Sequence, residues 1–339
     1  MKTSDFDYHL PPERIAQTPV EPRHASRLLV LRRNRQELEH THFWNVGEFL
    51  SPGDLLVINQ TRVIPARIFA RKLTGGKVEI LLLRRLDAVN WEALVGGKGL
   101  VAGRRLQVEN GPQVEISQVM EGARRQVRFA EPVEPFLVKA GQMPLPPYIH
   151  TPLSNPERYQ TVYATQPGSA AAPTAGLHFT PELMDHLRET GIQFAEVTLH
   201  VGLDTFAPVT EDNPHEHKIH TEWCEVTPEA AAAINATRLA GKRVVAVGTT
   251  SVRTLETAAH LAGAGQGVAP FSGPTGLFIL PGDRFWVVDA MITNFHLPRS
   301  TLLMLVSAFV GRERILAVYQ TAIQEEYRFY SFGDAMLIL

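Results

Sequence analysis

The chain has 339 residues, 44% of them apolar and 20% charged, which excludes a disordered or fibrous protein and leaves room for two domains. A single cysteine, Cys224, excludes an intrachain disulfide and a four-cysteine zinc site. The net charge of −2 hides an asymmetry, because residues 62–139 carry 14 Lys and Arg against 8 Asp and Glu, and the remainder 19 against 27. A local nucleic-acid surface on an acidic body fits this distribution, and so do solubilising charges on outward strand positions.

The opening "MKTSDFDYHLPPERIAQ" has no apolar core of signal-peptide type, so a cytoplasmic protein is expected. "RLLVLRR" and "DLLVINQ" read as strands. Between Arg62 and Lys139 come "RVIPARIFARK", "KVEILLLRR", "WEALV", "RRLQVE", "QVEISQV" and "RQVRFA", short strands separated by glycine turns. That spacing predicts an antiparallel sheet or small barrel. "AGQMPLPPYIH" closes the region as a stiff, proline-rich connector. Mixed α/β texture follows. "TPELMDHLRET" and "TPEAAAAINATRLAG" each open with a Thr cap and Pro at the first helical position, the first stopping at Gly191 and the second at Gly241. "IQFAEVTLHVG", "KRVVAVG" and "FWVVDAMIT" read as strands, "SVRTLETAAHLAG" as a helix, and "PRSTLLMLVSAFVG" as a capped buried helix too short to span a bilayer. The expected architecture is an α/β (mixed α+β) body, residues 1–66 plus 141–339, with an inserted antiparallel β-barrel-like domain at residues 67–140.

Three polar turns precede helices. "GSAAAPTAGLHFTPE" offers only small residues from Gly168 to Gly176, then His178, and ends at a helix N-terminus. Close backbone approach to a ligand would suit it, with His178 as a proton-transfer group; tight packing around a satisfied core histidine is the alternative. "VVAVGTTSVRTLE" places Thr249, Thr250, Ser251 and Arg253 at a strand's carboxyl end, a cradle for a carboxylate or phosphate, or else a simple helix cap. It matches neither G-x-G-x-x-G nor a Walker A loop. "TNFHLPRSTLL" sets Asn294, His296 and Arg299 before a helix. Together the three turns point to one composite site. "HEHKIHTEW" has the wrong spacing for a metal, and none is expected. In "YRFYSFGD" the alternating aromatics read as half-buried strand packing rather than base-stacking groups.

These stretches, with "FDYHLPPERIAQ", "SRLLVL", "PGDLLVINQTRVIPARI", "TGGKVEILLL", "YQTVYA" and "VTLHVGLDTF", resemble the S-adenosylmethionine:tRNA ribosyltransferase-isomerase family in order and along essentially the whole chain. The resemblance implies an α/β body with an inserted barrel. It also implies transfer of the ribosyl unit of S-adenosylmethionine to the aminomethyl group of a 7-deazaguanine at the wobble position of tRNA. The products would be epoxyqueuosine-tRNA, adenine and methionine. S-adenosylmethionine is then a co-substrate, tRNA is engaged through its anticodon stem-loop, and no cofactor, metal or membrane is needed; a monomer is expected. The chemistry asks for groups that titrate near neutrality, so His178, His200 and His296 are the catalytic candidates. Asn59, Thr61, Arg62, Thr174, Gly176, Thr249, Thr250, Ser251, Arg253, Asn294 and Arg299 are the substrate-binding candidates, with Thr249 to Ser251 and Arg253 suited to the methionine carboxylate. The chain departs from the family pattern at Arg23-His24-Ala25-Ser26-Arg27, where relatives read Arg-Asp-Ser-Arg, and at Asp204-Thr205-Phe206-Ala207, which lacks a basic residue. A methyltransferase would need a glycine-rich turn after its first strand, which is missing. A non-catalytic RNA-binding protein would release no adenine.

Overall fold

The computed structural model describes residues 1–202, 205 and 208–339, which divide into two compact units. The body comprises Met1–Thr61, Pro146–Thr165 and Pro173–Leu339; the second unit comprises Arg62–Leu145 and Gln166–Ala172. In chain order, β1 (Arg27–Leu31), β2 (Leu38–His42) and β3 (Leu55–Asn59) open the body, and β4 (Thr61–Val63) leads out of it. The second unit holds β5 (Arg67–Lys72), β6 (Lys77–Arg85), β7 (Asn90–Gly96), β8 (Arg105–Val108), β9 (Gln113–Val119), β10 (Arg124–Phe129), the short helix α1 (Glu134–Ala140), β11 (Gly141–Gln142) and β12 (Gln166–Ser169). Residues 166–172, which the sequence texture groups with the body, join the second unit because β12 pairs with β4.

Strands β5-β6-β7-β10-β9-β8 form an antiparallel sheet that closes on itself where β8 pairs with β5, Ala70 opposite Val108. Alternate residues such as Ile68, Ala70, Val78, Ile80, Leu106, Val108, Val114 and Ile116 are buried, as the period-2 pattern dictates. Closure leaves no long unpaired edge among these six strands. On the outside, Arg67 pairs with Glu79 at 2.8 Å, Arg71 with Glu109 at 2.9 Å, Arg84 with Glu92 at 2.6 Å and Arg105 with Glu115 at 3.1 Å. Four of the arginines of this region are thus paired with glutamates on the same surface, while its basic residues still outnumber its acidic ones by six.

The body continues with helix α2 (Pro181–Glu189), β13 (Gln193–Leu199), β14 (Glu222–Val226), α3 (Pro228–Leu239), β15 (Val244–Val247), α4 (Thr249–Ala262), β16 (Phe271–Thr275), β17 (Ala290–Asn294), α5 (Thr301–Val310), α6 (Arg312–Gln324) and β18 (Ala335–Ile338). Its nine strands lie in the order β16-β14-β13-β3-β15-β17-β18-β1-β2. Successive residues of the central strands face opposite cores. Leu55, Val57, Val244, Ala246 and Met291 pack under α3 to α6, while Leu56, Ile58, Val245, Val247 and Ile292 pack against α2 and the turn at Phe43–Phe49. This burial on both faces explains why these strands read as unbroken apolar runs. The helices start where capping chemistry says they should. Thr180, Thr227 and Ser300 each accept a hydrogen bond from the backbone N–H three residues on.

Two expectations fail for tertiary reasons. "FWVVDAMIT" is a strand only from Ala290, because the buried Glu256 carboxylate of α4 takes the backbone N–H groups of Trp286, Val287 and Val288 at 2.8–3.1 Å. "YRFYSFGD" is not a strand; Tyr327, Phe329, Tyr330 and Phe332 are buried in an irregular loop, so none offers a free face for base stacking. Among the described residues, no helix is long and apolar enough to cross a membrane.

Candidate active site

Strands β13, β3, β15 and β17 are neighbours and mutually parallel, so their carboxyl ends fall along one edge. There the sequence places His200 after β13, Asn59 and Thr61 at β3, Gly248 to Thr250 after β15, and Asn294 to His296 at β17. At about 4.8 Å per strand the row is roughly 14 Å long, the crevice in which open α/β sheets hold ligands. "TAGLH" (Thr174–His178) forms a 3-10 turn that joins this row, with Thr174 Oγ1 donating to Asn294 Oδ1 at 2.9 Å. A Cβ built on Gly248, which has φ +87°, would lie 3.7 Å from the Ala175 Cβ and 3.5 Å from Thr250 Oγ1. The three polar turns singled out in the sequence therefore meet in one place.

His178 is buried and held at both nitrogens. Its Nδ1 lies 2.7 Å from Ser26 Oγ, its Nε2 lies 3.2 Å from Asn294 Nδ2, and its ring stacks on Phe43. Asn294 Nδ2 also donates to the Tyr330 carbonyl at 3.3 Å, an acceptor only, so the amide cannot be turned over. Nε2 of His178 is consequently an acceptor, and Nδ1–H donates to Ser26. A Ser–His–Asn trio suggests a nucleophile, but this polarity runs the wrong way, since the histidine gives a proton to the serine oxygen rather than taking one. Burial, with Arg328 and Arg23 nearby, depresses the His178 pKa to about 3. His296 is similar, its Nε2 lying 2.6 Å from Thr293 Oγ1, its main chain held by Tyr8 and Tyr319, and its pKa pushed to about 3 by burial.

His200 differs. Nδ1 lies 2.8 Å from Thr61 Oγ1, the ring stacks on Trp223, and the side chain is only half-buried. Nε2 has no partner among the described residues, and burial shifts its pKa below the usual histidine value. Asn59 is structural, since its amide bonds both the N–H and the carbonyl of Leu199 and the N–H of Thr61, tying β3 to β13.

Other candidates sit less favourably for ligand contact. Gly176 does not open space, because a Cβ there would fall 2.0 Å from the Tyr163 hydroxyl; the gap is filled by the protein itself. Ser251 Oγ donates to the Val247 carbonyl at 2.8 Å and is spent on its own helix. Arg253 forms a buried ion pair with Glu222, which in turn accepts from the Gly202 N–H and the Thr205 hydroxyl. Arg253 Nη2 and Thr250 Oγ1 remain buried without a hydrogen-bond partner, and Thr249 is buried in the same first turn of α4. Arg299 points to solvent and pairs with Asp7 at 3.3 Å, and Arg62 belongs to the second unit. Asp204 and Ala207 lie outside the described residues. In "HEHKIHTEW", His217 contacts Glu211 at 2.9 Å, and among the described residues no three His, Cys, Asp or Glu side chains converge as metal ligands would.

A model of the queuosine biosynthesis protein family matches residues 3–338. The chain belongs to that family. This family member is 56% identical over 345 residues to the S-adenosylmethionine:tRNA ribosyltransferase-isomerase of Moorella thermoacetica and 54% identical over 347 residues to that of Carboxydothermus hydrogenoformans, covering all of both chains in each comparison. It also matches the crystal structure of the S-adenosylmethionine tRNA ribosyltransferase of Thermotoga maritima with a TM-score of 0.58 and 42% identity, over 99% of this chain and 100% of that one. What the family sequence pattern did not single out is Ser26, with Arg23 and Arg328 beside it. The signals were "RHASR" and "SRLLVL", which share Ser26, and "YRFYSFGD", which carries Arg328; the serine becomes notable once the fold sets it against His178, 152 residues away.

Proposed function

We propose that this chain is an S-adenosylmethionine:tRNA ribosyltransferase-isomerase that acts on the aminomethyl-deazaguanine at the tRNA wobble position, releasing adenine and methionine. The observation that carries the reading is the row of His200, Asn59, the Gly248–Thr250 turn and Asn294 along four parallel strand ends, in a chain whose full-length relatives bear that name. The sulfonium of S-adenosylmethionine acidifies its 5′-methylene, and a neutral base must take that proton to start adenine expulsion. The substrate amine then attacks, and methionine departs as the epoxide closes. His200 fits the base, because its depressed pKa keeps it neutral at pH 7 and Nε2 is open. His178 and His296 are positioning residues, since a pKa of about 3 makes each a feeble base and their nitrogens hold neighbouring side chains. The reaction needs no metal or redox cofactor, and the enzyme would act as a monomer in the cytoplasm, where tRNA is found.

Incubating the protein with S-adenosylmethionine and tRNA carrying the aminomethyl precursor should yield equal amounts of adenine and methionine. A methylated tRNA, or binding without adenine release, would overturn the reading. His200→Ala should lower kcat about 10²–10⁴-fold while leaving the unfolding midpoint close to wild type. Wild-type rates in that variant would remove His200 from the chemistry.

A further inference from the structure

We propose that the cleft between Arg23, Ser26, His178 and Arg328 is an oxyanion site with the Ser26 hydroxyl as its neutral donor. It takes either the carboxylate of the S-adenosylmethionine methionyl group or a phosphodiester of the tRNA. The inference rests on the reading above that these two are the substrates. The cleft is small, with about 20 Å³ open to water-sized groups, room for a single oxygen of a terminal oxyanion.

The polar groups at its wall are arranged to donate. Asn294 makes His178 Nε2 an acceptor, so His178 Nδ1–H occupies a lone pair of Ser26 Oγ at 2.7 Å. Ser26 has no other side-chain hydrogen bond among the described residues, which leaves its own O–H to point at a ligand. Arg23 donates only to main-chain carbonyls, of Gln160 at 2.6 Å and Glu157 at 2.9 Å, and among the described residues no carboxylate lies within 4.0 Å of it. Arg328 Nη1 bonds the Thr18 carbonyl at 3.2 Å, while Nη2 is buried without a hydrogen-bond partner. The Asp334 carboxylate lies 3.8 Å from Arg328 Nη2 and is already taken by the backbone N–H groups of Arg27 and Arg328. Arg158, also at the cleft, pairs with Glu21 at 2.9 Å, whereas Arg23 feels Glu21 and Glu157 without forming an ion pair among the described residues. Burial does most to lower the His178 pKa, and Arg328 and then Arg23 add to it, so both guanidinium groups act on a ring that lines the cleft.

The competing anion cradle, the first turn of α4, is less suited. Its only guanidinium, Arg253, is already neutralised by the buried Glu222, so an incoming anion would meet an ion pair rather than a cation.

The test uses the full-length protein with Ser26→Ala and Arg328→Gln, and with Ser26→Thr and Arg328→Lys as conservative controls. Affinities for S-adenosylmethionine and for tRNA are measured by calorimetry and filter binding, alongside kcat and KM for adenine release. Loss of a hydrogen bond to a charged group should weaken one substrate about tenfold in Ser26→Ala and more in Arg328→Gln, with Ser26→Thr returning most of it. If the occupant is the carboxylate, the S-adenosylmethionine affinity falls and the difference from wild type vanishes with decarboxylated S-adenosylmethionine. If it is the phosphodiester, the tRNA affinity falls and Arg328→Gln reduces the salt slope by about 0.7–0.9. Affinities for both substrates within twofold of wild type in Ser26→Ala and Arg328→Gln would overturn the proposal. Adenine release by the wild type checks the functional reading separately. Should it fail, inorganic phosphate is the probe, and its stabilisation of the wild-type melting temperature should be lost in Arg328→Gln; equal stabilisation of both proteins would overturn the site.

Discussion

His178 shows how one residue's chemistry is decided by its neighbours rather than by its type. An isolated histidine titrates near 6.5, but here burial and two guanidinium groups bring the value to about 3, and His296 reaches the same range by burial alone. Both are neutral in the folded protein down to strongly acidic pH, whereas in the unfolded chain they take up protons below about 6.5. The unfolded state then binds more protons, so stability falls as pH drops from about 6.5 toward 3, each histidine contributing about 1.4 kcal/mol per pH unit once its unfolded form is fully protonated. Urea unfolding between pH 7 and 5 should give a shallower pH dependence for His178→Gln than for wild type by roughly that slope. Parallel curves would mean that His178 is not held neutral. At this scale the sequence named the histidines but not their roles. Ser26 and Asn294, which set the proton positions on His178, approach it only through contacts across 152 and 116 residues.

Elements follow from local chemistry more completely than sites do. Caps at Thr180, Thr227 and Ser300 and the prolines after the first two mark three helices in the sequence, and all three begin there. Strand limits were legible except where a side chain from elsewhere took the backbone donors, as Glu256 does before β17. The small-residue run of "GSAAAPTAG" was legible as tight, but what it is tight against was not. At Gly176 the neighbour is Tyr163, so Gly176→Ala should cost about 1–3 kcal/mol in denaturant unfolding, and Tyr163→Phe, which removes the clashing hydroxyl, should restore part of it. Additive losses in the double variant would disprove that contact. The ion pair between β14 and α4 makes a second prediction at this scale. Glu222→Gln leaves Arg253 buried beside a neutral partner and should destabilise by roughly 3–5 kcal/mol, while Glu222→Gln combined with Arg253→Met should be closer to wild type. A double variant as unstable as the sum of the singles would show that the two do not act as a pair.

The chain comprises two compact units, one a closed barrel and the other a sheet covered on both faces. Calorimetric unfolding should therefore depart from two-state behaviour, with a van't Hoff enthalpy below the calorimetric one. Because the proposed site lies on the body, S-adenosylmethionine at 100 times its Kd should stabilise the body's transition by about 2.7 kcal/mol and leave the barrel's in place. A single transition that moves as a whole would show that the chain unfolds as one unit. Local pattern was sufficient for the fold class, since period-2 burial, glycine turns and capping residues act over a few neighbours and are written in consecutive letters. Family membership was equally legible, carried by ordered motifs along the whole chain. The assembly of the site was not. Parallel strand ends bring His200, Thr61, Gly248 and Asn294 together from distant parts of the sequence. Burial then sets which histidine stays open, and pairing with Glu222 or with carbonyls sets which arginine keeps its charge. Those outcomes depend on desolvation and on partners at long sequence separation, which only the folded arrangement supplies.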